Sequence, residues 1–267
     1  MPILYLIIFL ISIATATASA LVGLGGGLLL IPFLVLLFDL PLKVVAGTML
    51  FAMVPYTIVA TLKNMRNGFI NYRIGLTMET GSILGVIAGA HFSHLLPDYV
   101  LKSFFIVVVL YLLLTLQIPK DSPYNYVARM FRALNFLPPR IGKTAGSSEK
   151  LSASALALIG SIAGVFSGML GIGGGFLKTP VLIVGVGLPA KTAVGTALFM
   201  ILITALFGAS THGILGDIHY PIAIAITLGM MIGAWLGTTI LKTQPDQRIK
   251  KFIFLALLAA GILTLFR

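Results

Sequence analysis

The apolar residues of this chain run in long unbroken stretches instead of alternating with polar ones. Residues 3–22, 26–38, 43–62, 74–96 and 99–118, and then 151–170, 174–187, 191–211, 220–241 and 247–266, are apolar on every face and are separated by short polar or glycine-containing breaks. Most approach or reach the roughly 20 residues that cross a bilayer as helix. A barrel would need period-two alternation, so the pattern predicts helices. Two stretches, 26–38 and 174–187, are shorter. At 1.5 Å per residue each covers only about 20 Å, less than the hydrocarbon core. Each follows a glycine run and carries a proline, Pro32 or Pro180. Broken backbone at membrane depth persists only against protein or a wet cavity, so plain spanning helices are not expected there.

The ten segments are two sets of five. Gly23–Gly27 reads Gly-Leu-Gly-Gly-Gly, and Gly171–Gly175 reads Gly-Ile-Gly-Gly-Gly. At that one offset, without gaps, residues 23–104 match residues 171–252 at 25 of 82 positions, including nine glycines, three prolines, Lys43 with Lys191, Thr48 with Thr196 and Asp98 with Asp246. An internal repeat governs the fold reading. Glycine-broken segments at equivalent places in two halves are the best sequence pointer to a transporter's binding site.

Loop charge predicts how the halves insert. Lys63, Arg66 and Arg73 lie between the third and fourth segments of the first half, where the second half has Asp217 and His219 and neither Lys nor Arg. Conversely Lys242, Arg248, Lys250 and Lys251 lie between the fourth and fifth segments of the second half, against Asp98 and Lys102 in the first. By the positive-inside rule the repeats are inverted relative to each other, with both termini outside. The expected fold is therefore an all-α polytopic membrane protein. It comprises a first repeat over 1–118, a basic cytoplasmic linker over 119–150 and an inverted second repeat over 151–267. In the linker, Val127, Met130, Phe131 and Leu134 at helical spacing among Arg129, Arg132 and Arg140 predict an amphipathic helix on the lipid surface.

Composition narrows the function. The chain is 58% hydrophobic and 9% charged, against about a quarter charged in soluble domains. Its net charge of +11 reads as cytoplasmic loops and not as a nucleic-acid surface. Cysteine is absent, which excludes disulfides and thiolate chemistry. Residues 3–20 end in Ala-Thr-Ala-Ser-Ala but lack a basic start, so they read as a first helix and not as a cleaved signal.

Candidate chemistry centres on Gly23, Gly25, Gly26 and Gly27 and on Gly171, Gly173, Gly174 and Gly175. Such turns free backbone N–H groups, admit close approach and open a helix N-terminus, all of which favour an anion. The competing reading is close helix packing, which accounts for the stripes Gly81, Gly85, Gly89 and Gly229, Gly233, Gly237. Thr48 and Thr196 offer hydroxyls to an oxyanion, or bond back to their own helix. Lys178 stands where the first half has Leu30; it is either a substrate cation or a side chain reaching for the interface. Glu79 reads as a partner of Arg73 or Arg66, with proton coupling as the alternative. Asn64 and His212 are equivalent positions and candidates for gating or coupling. No metal site and no cofactor is expected, because His91 and His94 are joined by no carboxylate or cysteine at ligand spacing.

These paired Gly-x-Gly-Gly-Gly-x-Leu/Lys-x-x-x-Gly-Thr patterns, the latter at Lys43–Thr48 and Lys191–Thr196, resemble the TauE/SafE family of membrane permeases, the sulfite exporters. The resemblance implies an inner-membrane transporter, generally an exporter, of small sulfur-containing anions such as sulfite or organosulfonates. It also points to the two glycine motifs and the two threonines as the substrate site. No Gly-x-x-x-x-Gly-Lys-Ser/Thr run is present, so ATP is not hydrolysed by this chain. Secondary transport by one repeat moving against the other is the leading expectation, with a passive anion channel as the alternative. A lipid-phosphate enzyme fits less well, since Glu79 is the one intramembrane acid. The expected partners are the anion and membrane lipid; the oligomeric state is left open, a homodimer included.

Overall fold

A computed structural model describes residues 2–38, 40–101, 103–107, 133–141, 151–249, 251–252 and 255. Among their helices are α1 (Pro2–Val22), α2 (Gly27–Phe38), α3 (Leu42–Arg66), α4 (Tyr72–Leu95), α5 (Ala153–Leu170), α6 (Gly175–Pro180), α7 (Ala190–Leu215) and α8 (Tyr220–Thr243). Five of them, α1, α3, α5, α7 and α8, are long and apolar enough to cross a membrane. The chain is an all-α polytopic membrane protein. Among the described residues the one extended element is a two-residue pairing of β1 (Arg140–Ile141) with β2 (Leu151–Ser152), ahead of α5. The surface carries large apolar side chains, among them Ile3, Leu6 and Leu10 of α1, Leu84 of α4 and Ile224 and Leu228 of α8, as lipid contact requires. Most of the linker and the greater part of the two fifth segments lie outside the described residues, and with them the expected amphipathic helix apart from Leu134.

The expected short segments are present and differ from each other. α2 is a regular 12-residue helix containing Pro32. In the second half, regular helix ends after six residues at Pro180 and continues as a π-helical turn, Val181–Gly185. Pro180 has no N–H to close the preceding turn, and Val186 N donates to Val181 O across the widened one at 2.9 Å.

Helix packing exchanges the halves. α4 lies on α5, α1 on α8 and α3 on α7. A Cβ built on Gly81, Gly85 or Gly89 would stand 1.9–2.2 Å from the carbonyl oxygens of Ala157, Ser161 and Val165; Gly160, Gly164 and Gly168 of α5 face Met78, Ser82 and Val86 of α4 as closely. Those two helices therefore run parallel, glycine face to glycine face. Gly229, Gly233 and Gly237 of α8 meet Phe9, Ile13 and Thr17 of α1 in the same sense. By contrast Gly47 of α3 touches His212 of α7 while Gly208 touches Leu50, so the equivalent helices α3 and α7 are antiparallel.

Polar caps, by contrast, repeat within each half. Asp98 accepts from Leu42 N at 2.6 Å, and Asp246 accepts from Ala190 N at 2.9 Å; each carboxylate caps the helix that follows its own half's short segment. Each contact thus has a twin at the offset of the sequence repeat.

Glycine faces this close leave no room for a methyl group. Gly85→Ala is expected to cost about 1–3 kcal/mol in an unfolding measurement in detergent. Gly213→Ala, where the nearest atom would be 3.5 Å away, is expected to be neutral or stabilising by up to about 1 kcal/mol.

Candidate functional site

The two glycine turns meet at the centre of the molecule. Gly23, Gly25 and Gly26, like Gly171, Gly173 and Gly174, have positive φ between 73° and 86°, a region that only glycine enters freely. Gly27 and Gly175 begin α2 and α6 against the backbone of the opposite turn. A Cβ on Gly27 would lie 2.5 Å from Gly171 O, and one on Gly175 would lie 2.4 Å from Gly23 O. Thr179 donates to Gly23 O at 2.9 Å. Met53 and Ile201, equivalent residues of α3 and α7, line the junction. Conformation and packing therefore both require these glycines. The backbone N–H groups of Gly25, Gly26, Gly27, Gly173, Gly174 and Gly175 donate to no acceptor among the described residues, although all six glycines are buried.

Beside the second turn lies a closed polar triad. Lys178 is fully buried and its Nζ donates to Glu79 Oε1 and, at 2.7 Å, to Thr204 Oγ1; Thr204 in turn donates to Glu79 Oε2 at 2.8 Å. Nζ also lies 3.5 Å from where a Cβ on Gly174 would be, so the ammonium leans over the glycine turn. Two expectations are corrected here. Glu79 does not pair with Arg73 or Arg66: it sits two turns inside α4 and faces the protein, whereas both arginines are exposed. Lys178 does not reach the interface, because the short α6 is enclosed by protein and the nearest partner is the buried carboxylate. Thr204, isolated in an apolar helix, was not singled out by the sequence; a lone polar residue opposite Tyr56 in the repeat was its only signal.

Thr48 and Thr196 make contacts that the sequence did not point to. Thr48 Oγ1 accepts from His219 N at 3.0 Å, and Thr196 Oγ1 accepts from Asn71 N at 2.9 Å. Each hydroxyl anchors the loop between the third and fourth helices of the other half. Neither bonds to its own helix, and neither is brought onto a glycine turn by these contacts.

His212 is buried, with Nδ1 2.9 Å from Asp217 Oδ2 and Nε2 2.8 Å from Gly168 O. His94 Nε2 is 2.6 Å from the same Asp217 oxygen. Asp217 therefore joins His94 to His212, across 123 residues of sequence from the former and invisibly to local spacing, while His91 Nδ1 lies 2.9 Å from Ile87 O. Gly168 O can only accept, so Nε2 is the donor in that contact. Asn64, the equivalent of His212, donates to Ala60 O at 2.9 Å and leaves its Oδ1 without a partner.

If the triad is one unit, Lys178→Met strands Glu79 in the interior and is expected to cost about 3–5 kcal/mol of stability. Combining Lys178→Leu with Glu79→Thr, the residues the other half carries at Leu30 and Thr227, is expected to recover part of that loss. A double-mutant cycle by denaturant unfolding should give a coupling of about 1–3 kcal/mol.

No solved structure matches this chain. Two proteins of Bacillus subtilis (strain 168) are similar to it along nearly their whole length: "Probable membrane transporter protein YunE", 26% identical over 271 residues and 96% of each chain, and "Probable membrane transporter protein YdhB", 26% identical over 266 residues, 98% of this chain and 100% of the relative. "Probable membrane transporter protein MJ0441" of Methanocaldococcus jannaschii is also 26% identical, over 90% of this chain and 86% of its own. The family model for "Sulfite exporter TauE/SafE" matches residues 8–264. With glycine turns paired at its centre and a family match over nearly its entire length, the chain belongs to the TauE/SafE family and is a multi-pass membrane transporter.

Proposed function

We propose that the protein is a secondary transporter of small sulfur-containing oxyanions, sulfite or organosulfonates, working in the export direction across the inner membrane by alternating access. The observation that carries this reading is the set of six buried glycine amides without an acceptor, in two turns that meet back to back. Buried N–H groups in a lipid-embedded protein are costly unless something accepts from them, and an oxyanion is the acceptor that helix starts and glycine turns favour. The family's description as sulfite exporters supports the substrate class.

The bundle has one basic end. Lys63 Nζ donates to Trp235 O at 2.9 Å and lies 4.4 Å from the Trp235 ring centre, while Lys191 Nζ donates to Lys242 O at 2.9 Å. Arg66, Arg73 and Arg248 belong to the same end. The positive-inside rule makes this end cytoplasmic and the start of α1 external. The bodies that move are then mixed pairs: α1 with α8 and α4 with α5 are each locked by small-residue faces, so each unit takes helices from both halves and slides along α3 and α7.

The test is sulfite or sulfoacetate counterflow in proteoliposomes. Saturable flux accelerated by the same anion on the far side is the expected result. Flux that rises linearly with concentration, without such acceleration, would establish a channel instead.

A further inference from the structure

The two lobes flanking the glycine turns share a backbone plan but not a polar inventory. In one lobe, built from α4, α5 and α7, the ionisable and hydroxyl groups of Lys178, Glu79 and Thr204 satisfy one another in a ring. In the other, built from α1, α3 and α8, the equivalent residues are Leu30, Thr227 and Tyr56. Tyr56 is fully buried, and neither its hydroxyl nor that of Thr227 has a hydrogen-bond partner. The helix register brings these two residues to one level. α3 and α8 run side by side from the Phe51–Tyr220 ring contact, 5.8 Å, to the Lys63–Trp235 contact, and Tyr56 and Thr227 fall between these points. Their counterparts Thr204 and Glu79 are 2.8 Å apart. Both lie one turn from a methionine covering the first glycine turn: Met53 Cε is 2.5 Å from the Cβ position of Gly27, and Met230 Cε is 2.5 Å from that of Gly26.

Leaving a buried hydroxyl unpaired is costly, so two of them, each one turn along its helix from a methionine that covers the three unpaired amides, mark a place built to donate. Further donors and acceptors without partners, Thr61 and Asn64 on α3, lie in the same lobe and lead toward the basic end at Lys63 and Arg66, whereas unpaired Ser19 of α1 has an equally unpaired twin, Ser167, in the other lobe. Glu79, the one acid at this depth among the described residues, is held by Lys178 in the opposite lobe, so nothing here repels an anion.

Resting on the transport reading above, we propose that the oxyanion binds in one lobe only, with Tyr56 Oη and Thr227 Oγ1 donating to its oxygens beside the amides of Gly25, Gly26 and Gly27. Lys178, Glu79 and Thr204 are the self-neutralised counterpart of that site. The thioether ends of Met53 and Met230, flexible and easily displaced, cover the turn when no anion is present.

Tyr56→Phe and Thr227→Val test this in two assays, sulfite counterflow in proteoliposomes and the thermal shift that sulfite or sulfoacetate causes in detergent. A hydrogen bond to a charged ligand is the interaction removed, so each variant should raise KM by roughly tenfold or more and shrink the anion-induced shift in proportion. Tyr56→Phe should melt no lower than the parent without anion, because it deletes an unpaired group. Thr57→Val, which removes the neighbouring hydroxyl already bonded to Met53 O, should leave KM within about twofold. If the parent transports the anion and Tyr56→Phe and Thr227→Val both keep its KM, or Thr204→Val raises KM while they do not, the one-lobe site is wrong and the transport reading stands. If the parent neither moves nor is stabilised by sulfite or sulfoacetate, both fall together.

Discussion

Everything in this fold depends on two backbone segments approaching each other without side chains between them. Gly27 rests on the carbonyl of Gly171, and Gly175 on that of Gly23, so neither half can complete its own interior. A broken helix in lipid must find shelter for its loosened backbone, and here the shelter for each turn is the other turn. That mutual dependence buries α2 and α6 and brings the starts of both short helices to one place. The glycine faces of α4 with α5, and of α8 with α1, are the outer consequence: once the short segments occupy the centre, the long helices close around them by pairing across the halves.

A duplicated backbone does not enforce duplicated chemistry. The lobe containing Lys178 holds a cation, a carboxylate and a hydroxyl that answer one another. An ion pair of this kind contributes little net stability, because desolvating both charges offsets their attraction, but its three side chains are spent on one another. The opposite lobe has neither charge, with Leu30 and Thr227 at the equivalent positions, and carries hydroxyls. A transporter that must release its cargo is better served by neutral donors than by a buried ammonium, since donors of modest strength can be exchanged for water.

The two ends of the bundle differ in the same manner. Asn71 and His219 cap α4 and α8 at equivalent positions, each through a side-chain acceptor, and Thr48 and Thr196 hold the loops that carry these caps. Yet His212 at one end engages Asp217 and through it His94, while Asn64 at the other end has only a carbonyl of its own helix. Equivalent backbone positions therefore present one end where two histidines share a carboxylate and a basic end that is more loosely bonded.

Sequence alone determined the membrane class, the repeat, the positions of the described long helices to within a few residues and the presence of two broken segments. Those follow from hydrophobic run length and from glycine and proline chemistry, which act locally and leave a mark at each residue. Local signals of that kind say nothing about partners. The glycine stripe over Gly81–Gly89 was legible, but not that it meets Gly160, Gly164 and Gly168, because a packing face has no sequence label for its opposite. Glu79 looked like a neighbour of Arg73, which is near in the chain; the fold instead joined it to Lys178 across 99 residues, because burial makes a distant partner worth more than a nearby solvated one. Thr48 and Thr196 stood out as shared residues, and only tertiary structure decided that they hold loops. Which hydroxyls are left unpaired, and hence which lobe has bonds to offer, depends on every neighbour at once and could be read only from the folded chain.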